Sequence, residues 1–181
     1  MKLNKLNKLN KLNKLNNLIF YLNQKGDRMI KRGRIASQPK SGFRKDLDCS
    51  FRSCWEANMA RYWNYIKVEW KYEPYEYEFK TIKRGTRYYK PDFYLPKTDK
   101  LIEIKGYPSS SDKTKLRRFK KYYPEEAEKL QFIIYDPFSR SVENGKVMAF
   151  LLDNLKMNMN DILSYKQISN NVSGFISNWE F

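Results

Sequence analysis

Four charged residues, Glu56, Asp92, Glu103 and Lys105, have the types and spacing to do chemistry together. Glu103 and Lys105 are two apart, and such residues project from the same face of a strand. Ile102 and Ile104 take the opposite face, so Leu101 to Lys105 reads as a strand with charge on one side and a core on the other. Asp92 lies on the preceding strand, across the short polar loop Pro96-Lys97-Thr98-Asp99-Lys100. A hairpin of that length sets Asp92 opposite Glu103 or Lys105 on the charged face. Two carboxylates that close repel one another, and a hard divalent cation bridging them relieves the cost. Oxygen ligands alone select Mg²⁺ or Mn²⁺ over zinc. A metal so held, with a lysine beside it, suits phosphodiester hydrolysis, because it offsets charge growing on phosphate and acidifies a bound water.

Composition narrows the field further. The 181 residues contain no histidine, which removes Ser-His-Asp and Cys-His hydrolases, histidine-ligated zinc and histidine general bases. The two cysteines, Cys49 and Cys54, are too few for an all-cysteine zinc site or a disulfide scaffold and fit a reducing compartment. The net charge is +16, which points to a polyanion partner, nucleic acid first. No apolar run is long enough for a membrane span or a signal peptide, so the expectation is a soluble, intracellular protein without a membrane partner.

The charge is unevenly spread. Residues 1–45 carry thirteen basic side chains against the single acid Asp27, and residues 46–181 are nearly balanced. The segment opens with five copies of Lys-Leu-Asn from Lys2 to Asn16. A period of three slips 60° per repeat around a helix, so the leucines make no single apolar face. This reads as a low-complexity basic arm, disordered or a frayed helix, and residues 24–45 as a basic linker. The organisation expected is therefore an arm and linker over 1–45, a core over 46–140 and a C-terminal helical extension over 141–181.

Within the core, Ser53-Cys54-Trp55-Glu56 has the S-x-x-E capping pattern, so a helix begins there with Trp55, Met59, Tyr62 and Ile66 on its buried face. Glu56 therefore has two readings, a cap or a participant in the metal site. Val68 to Tyr72, Tyr75 to Thr81 and Tyr88 to Leu95 read as strands, with a hairpin turn at Arg84-Gly85-Thr86. Ser109 to Asp112 offer N-caps for a helix ending near Tyr123, with Leu116, Phe119 and Tyr123 as its apolar stripe. Its other side chains include Lys113, Lys115, Arg117, Arg118, Lys120 and Lys121. These form either a solvated face or, with Arg52, a surface that holds a DNA backbone beside the metal. Gln131 to Tyr135 is a further strand, and Lys146 to Leu155 and Asn160 to Ile168 read as helical. The fold class is mixed α/β with the order α-β-β-β-α-β and helices appended.

Pro91-Asp92, ten residues, then Glu103-Ile104-Lys105-Gly106 resembles the PD-(D/E)XK nuclease signature. The flanking blocks Phe51 to Arg61, Trp70 to Pro74 and Tyr89 to Pro96 look like phage-type and intron-associated endonucleases of that superfamily. The resemblance covers roughly residues 43–136. It implies a restriction-endonuclease-like core, a central mixed sheet flanked by helices. It also implies Asp92, Glu103 and the Ile104 main-chain carbonyl as metal ligands, Lys105 as the catalytic lysine and Glu56 as a residue completing the site. The setting it suggests is a phage-infected host cytoplasm or an organelle. The expectation is a Mg²⁺-dependent endonuclease cutting double-stranded DNA at a specific site, of the homing type, as a homodimer on a two-fold target. Two readings compete: a resolvase of Holliday junctions or branched DNA with the same catalytic face, and an inactive basic DNA-binding protein.

Overall fold

The computed structural model describes residues 41–180; the Lys-Leu-Asn repeat and residues 1–40 of the basic arm and linker lie outside the described residues. A hairpin comes first, β1 (Gly42–Arg44) against β2 (Cys49–Phe51), followed by helix α1 (Cys54–Tyr65). Then come β3 (Lys71–Tyr72), β4 (Tyr77–Glu78), β5 (Tyr88–Tyr89), β6 (Phe93–Leu95) and β7 (Lys100–Lys105). Helices α2 (Ser110–Tyr122) and α3 (Pro124–Ala127) lead to β8 (Leu130–Ile134). Helix α4 (Val142–Ala149) runs into a π-helical turn, residues 150–154, and β9 (Ile162–Ser164) and α5 (Tyr165–Val172) complete the chain.

Five strands form one mixed sheet in the order β3-β6-β7-β8-β9. β7 pairs antiparallel with β6, and β8 and β9 are added in parallel. Parallel neighbours need crossovers, and α2–α3 and α4 supply them. The protein is thus mixed α/β, with helices on both faces of the sheet. On one face Ile102, Ile104, Phe93 and Ile133 pack against Ala57, Ala60 and Trp63 of α1 and Val172 of α5. On the other, Leu101, Phe132 and Ile134 meet Leu116 and Phe119 of α2 and Val147, Phe150 and Leu151 of the α4 segment.

Several sequence expectations change. The strands expected over Val68 to Tyr72 and Tyr75 to Thr81 are confined to Lys71–Tyr72 and Tyr77–Glu78. Tyr88 to Leu95 is not one strand. β5 pairs with β4 in a separate two-stranded sheet, and β6 joins the central one. Lys90-Pro91 lies at the break, where proline has no N–H to give a ladder. Asn160 to Ile168 is not a helix throughout. A 3₁₀ turn at Met159–Asp161 precedes β9, and only from Tyr165 is the chain α-helical. Ile162 is buried against Phe132 on β8, so sheet pairing overrides local pattern there. The cap expected at Ser53 is present: its hydroxyl accepts the Glu56 N–H at 3.2 Å.

The C-terminal segment also closes over α1. Glu180 bridges Arg44 of β1 and Arg61 of α1, at 2.6 and 2.8 Å. Asn58, fully buried on α1, donates to the Glu180 carbonyl at 2.6 Å and to the Tyr165 hydroxyl at 2.9 Å, and accepts the Glu180 N–H at 2.9 Å. The helix is therefore buried on more than its apolar stripe. Among the described residues no helix is long and apolar enough to cross a membrane. Asn58→Ala strands these buried partners, and unfolding in urea is expected to show a loss of about 3 kcal/mol at unchanged m-value.

Candidate active site

The site is built where β6 meets β7. The register pairs Phe93 with Ile102 and Tyr94 with Leu101. One step further along, Asp92 stands opposite Glu103. The turn that sets this register is closed by the Thr98 N–H on the Leu95 carbonyl at 3.2 Å. Asp99 takes the left-handed conformation there at φ 54°, and its carboxylate accepts the Tyr94 hydroxyl at 3.0 Å. Aspartate tolerates that conformation because its short polar side chain bonds locally.

Asp92 and Glu103 are both buried, at 4% and 3% exposure, and each is held by named partners. Asp92 Oδ2 accepts the Ile104 N–H at 2.7 Å. Glu103 Oε2 accepts the Tyr89 hydroxyl at 2.9 Å, and its Oε1 faces Lys105 Nζ at 3.0 Å. Burial, then the nearby Glu103 charge, pushes the Asp92 carboxyl well above its usual range, against the pull of Lys105. Burial raises Glu103 too, opposed by Lys105 and the Tyr89 hydrogen bond. Burial by itself would lower Lys105, but Glu103 and Asp92 outweigh it and hold the ammonium above its ordinary value.

Proline 91 has a second consequence. In an antiparallel ladder a residue's N–H and C=O point to the same neighbour. The Ile104 N–H reaches Asp92, so its carbonyl also faces the β6 side. Its ladder position there falls to Pro91, which cannot donate. The Ile104 carbonyl thus faces the side of the two carboxylates, and oxygens of these kinds suit a hard divalent ion completing its shell with water and phosphate oxygens. Among the described residues no group of three or more acidic, cysteine or histidine side chains is arranged to hold a metal. The carboxylates here number two.

Glu56 takes the capping role. Its Oε1 accepts the Ser53 hydroxyl at 2.7 Å, and its Oε2 accepts the Tyr72 hydroxyl at 2.6 Å and the Arg52 N–H at 3.0 Å. Tyr72 is placed for this by its pairing with Phe93 across β3 and β6. Glu56 does not line the cleft, although its charge adds to the upward shift of Asp92.

A cleft of about 190 Å³ opens over the pair. Asp92, Glu103 and Lys105 form its floor, and Arg52, Lys90 and Lys115 bring positive charge to its wall. Arg52 is ion-paired to Glu73 at 2.5 Å, and Lys90 to Glu76 at 3.3 Å. Of the six basic residues expected to present α2 to DNA, only Lys115 reaches the cleft. Lys113 and Arg117 lie over the Phe150 ring, with Arg117 also donating to Asn154 at 3.0 Å. Arg118 donates to the Thr86 carbonyl and Lys120 to the Leu155 carbonyl. Lys121 lies over its neighbour Tyr122. Much of this face is spent binding α2 to the rest of the fold.

Sequence reasoning missed Tyr89 as the partner of Glu103 and Lys90 as a cleft residue. The signal was their position three and two residues before Asp92. The sequence reads Gly106 with Pro108 as the end of the strand run, where β7 does end, but gives no sign of the packing there. A Cβ there would stand 3.2 Å from the Trp55 ring, so glycine lets α1 close against the end of β7. Trp55 is in turn stacked on Tyr135 and Tyr165, with centroids at 5.5 and 5.0 Å.

The raised Asp92 carboxyl has a defined sign for stability. A group whose pKa is raised on folding stabilises fully below its unfolded value, about 4 for aspartate, and loses that contribution as pH rises through the folded value. In EDTA, Asp92→Asn is therefore expected to melt above wild type at pH 8, with the gap shrinking toward pH 4. Mg²⁺ or Mn²⁺ is expected to raise the wild-type melting temperature and leave Asp92→Asn unmoved; a gap independent of pH contradicts the assignment.

No family model matches this chain, and neither a curated protein nor a solved structure matches it.

Proposed function

We propose that this protein is a metal-dependent DNA endonuclease of the PD-(D/E)XK type, built on a restriction-endonuclease-like core. The observation that carries the reading is the buried Asp92–Glu103 pair, with Lys105 beside it, on the floor of a cleft with a basic wall. Two dry carboxylates of raised pKa on adjacent strands are costly unless a cation joins them. Their position next to the Ile104 carbonyl is a reason for the chain to bear that cost.

In this reading Asp92, Glu103 and the Ile104 carbonyl hold Mg²⁺ or Mn²⁺. When bound, the metal supplies charge neutralisation at the phosphate and a more acidic water. Lys105 is held in its ammonium form by Glu103, so it acts as a donor that orients the attacking water or stabilises charge on the phosphate oxygens. Water attacks phosphorus and gives up a proton to solvent, the P–O ester bond breaks, and the leaving oxygen takes up a proton from solvent, so the products together gain one water. Tyr89 positions Glu103 through its hydroxyl, and Glu56 stiffens the start of α1. Arg52, Lys90 and Lys115 receive the flanking phosphates.

The substrate we propose is double-stranded DNA, cut at a specific site in the manner of a homing endonuclease. One cleft serves one strand, so a homodimer on a two-fold target supplies the second cut.

The test is cleavage of supercoiled plasmid and of a synthetic four-way junction, with Mg²⁺ and with EDTA. Wild type is expected to cut only with metal. Asp92→Ala, Glu103→Ala and Lys105→Ala are each expected to lose at least about a thousandfold in rate, roughly 4 kcal/mol of transition-state stabilisation, while DNA binding persists. Faster cutting of the junction than of any linear duplex would turn the reading to a resolvase. Binding without cleavage would leave a DNA-binding protein.

A further inference from the structure

We propose that the loop between β4 and β5, residues 79–87, is a second DNA contact that grips the backbone of the duplex whose phosphate enters the cleft. The proposal rests on the nuclease reading. It assigns a surface that neither the motif nor the basic helix accounts for.

Residues 80–87 carry Lys80, Lys83, Arg84 and Arg87 without an acid among them. Lys80, Lys83 and Arg84 are exposed and have no ion-pair or hydrogen-bond partner among the described residues. Arg87 alone is partly neutralised, by Glu78 at 3.0 Å. This is the reverse of α2, where Arg118 and Lys120 are committed to main-chain carbonyls. Unpaired cations crowded onto one loop repel each other, and a polyanion relieves that repulsion.

The loop is also held in shape before any partner arrives. Phe79 is fully buried in the core and its N–H donates to the Arg87 carbonyl at 2.7 Å, which clamps the two ends. The Ile82 N–H donates to the Phe79 carbonyl at 2.9 Å. Thr81 and Tyr122 share a hydroxyl hydrogen bond of 2.5 Å, and Arg118 holds the Thr86 carbonyl. Gly85, at φ +78° with open space where a Cβ would stand, marks the tip. A clamped loop with a charged tip loses little conformational entropy on binding.

Its position completes the case. From Arg87 the chain runs through Tyr88, Tyr89 and Lys90, all in the cleft wall, to Asp92. Five residues span at most about 18 Å, so the loop base stands within roughly half a turn of B-form DNA from the carboxylates. A duplex that leaves the cleft along the Tyr88–Lys90 wall passes the loop. Backbone contact to a duplex suits it better than stacking on single strands, because its one neighbouring exposed aromatic, Tyr88, is covered by Arg87 at 5.6 Å.

The experiment uses the full chain in an Asp92→Asn background, chosen to block cutting, and measures anisotropy of a labelled 30-base-pair duplex from about 0.05 to 0.3 M salt. One variant carries Lys80→Gln, Lys83→Gln and Arg84→Gln. A second carries Lys2→Gln, Lys5→Gln and Lys8→Gln, removing equal charge from the N-terminal arm. The loop variant is expected to bind at least tenfold more weakly at 0.1 M salt. Its slope of log K against log salt should fall by about 2 to 3, near 0.9 per lost phosphate contact. The arm variant should change by less than half as much. Melting temperatures matching the parent check folding, and the single variant Arg84→Glu gives a second route to the same weakening. A loop variant with the parent's affinity and slope, or an arm variant with the larger loss, overturns this proposal and leaves the nuclease reading standing. A parent that binds no duplex overturns both.

Discussion

The structure is organised around keeping two carboxylates dry and adjacent. Asp92 and Glu103 sit across neighbouring strands with almost no solvent contact. In water each would be ionised and well hydrated; here burial pushes both carboxyls upward, and the Glu103 charge adds to the shift of Asp92. The Ile104 N–H, the Tyr89 hydroxyl and Lys105 each offset part of that cost, but they bring one full positive charge against two negative ones. The surrounding fold supplies the constraint that prevents escape. β7 is buried on both faces, between α1 and α2, so its carboxylate cannot turn to solvent without breaking a core.

Proline 91 links this electrostatic device to the backbone. It separates β5 from β6, so the chain changes sheet immediately before Asp92. It also has no N–H to offer the neighbouring strand at Ile104. An aspartate following an ordinary strand residue would face a completed ladder and fewer free oxygens. Gly106 does the corresponding work at the far end of β7, where its missing side chain admits Trp55 and seats α1 against the sheet. The residues between which the site lies are thus the ones that shape its walls.

The candidate site was more legible in the sequence than the fold around it. The alternation of Leu101 to Lys105 and the ten-residue spacing to Asp92 depend on local geometry, and both the strand and its pairing followed from them. The same alternation concealed that the charged face is covered too. Leu101 shares that face with Glu103, and both are buried under α2 and the β4–β5 unit. Helix α1 was legible at its start, because a cap is a contact over three residues. Its upper surface was not, because Asn58, Arg61 and Glu180 meet across more than a hundred residues. β9 was hidden for the same reason: Ile162 to Ser164 becomes a strand only when β8 offers an edge.

Charge is the property that sequence reports most readily and locates least well. The α2 cations looked like a DNA-facing stripe because they are many and close in sequence. Folding instead commits Arg117, Arg118 and Lys120 to holding α2 against the loop and the α4 segment, and Lys113 packs on Phe150. A guanidinium bound to a buried-side carbonyl has already exchanged its hydration for protein, and releasing it to a phosphate gains little. An exposed lysine without a partner keeps its full attraction for the phosphate backbone. The positive potential around the cleft is therefore set by which cations the fold leaves unpaired rather than by how many the helix carries. On that criterion the weight moves from α2 to Lys80, Lys83 and Arg84 of the β4–β5 loop, since Lys115 in the cleft wall is paired to Asp112 at 4.0 Å.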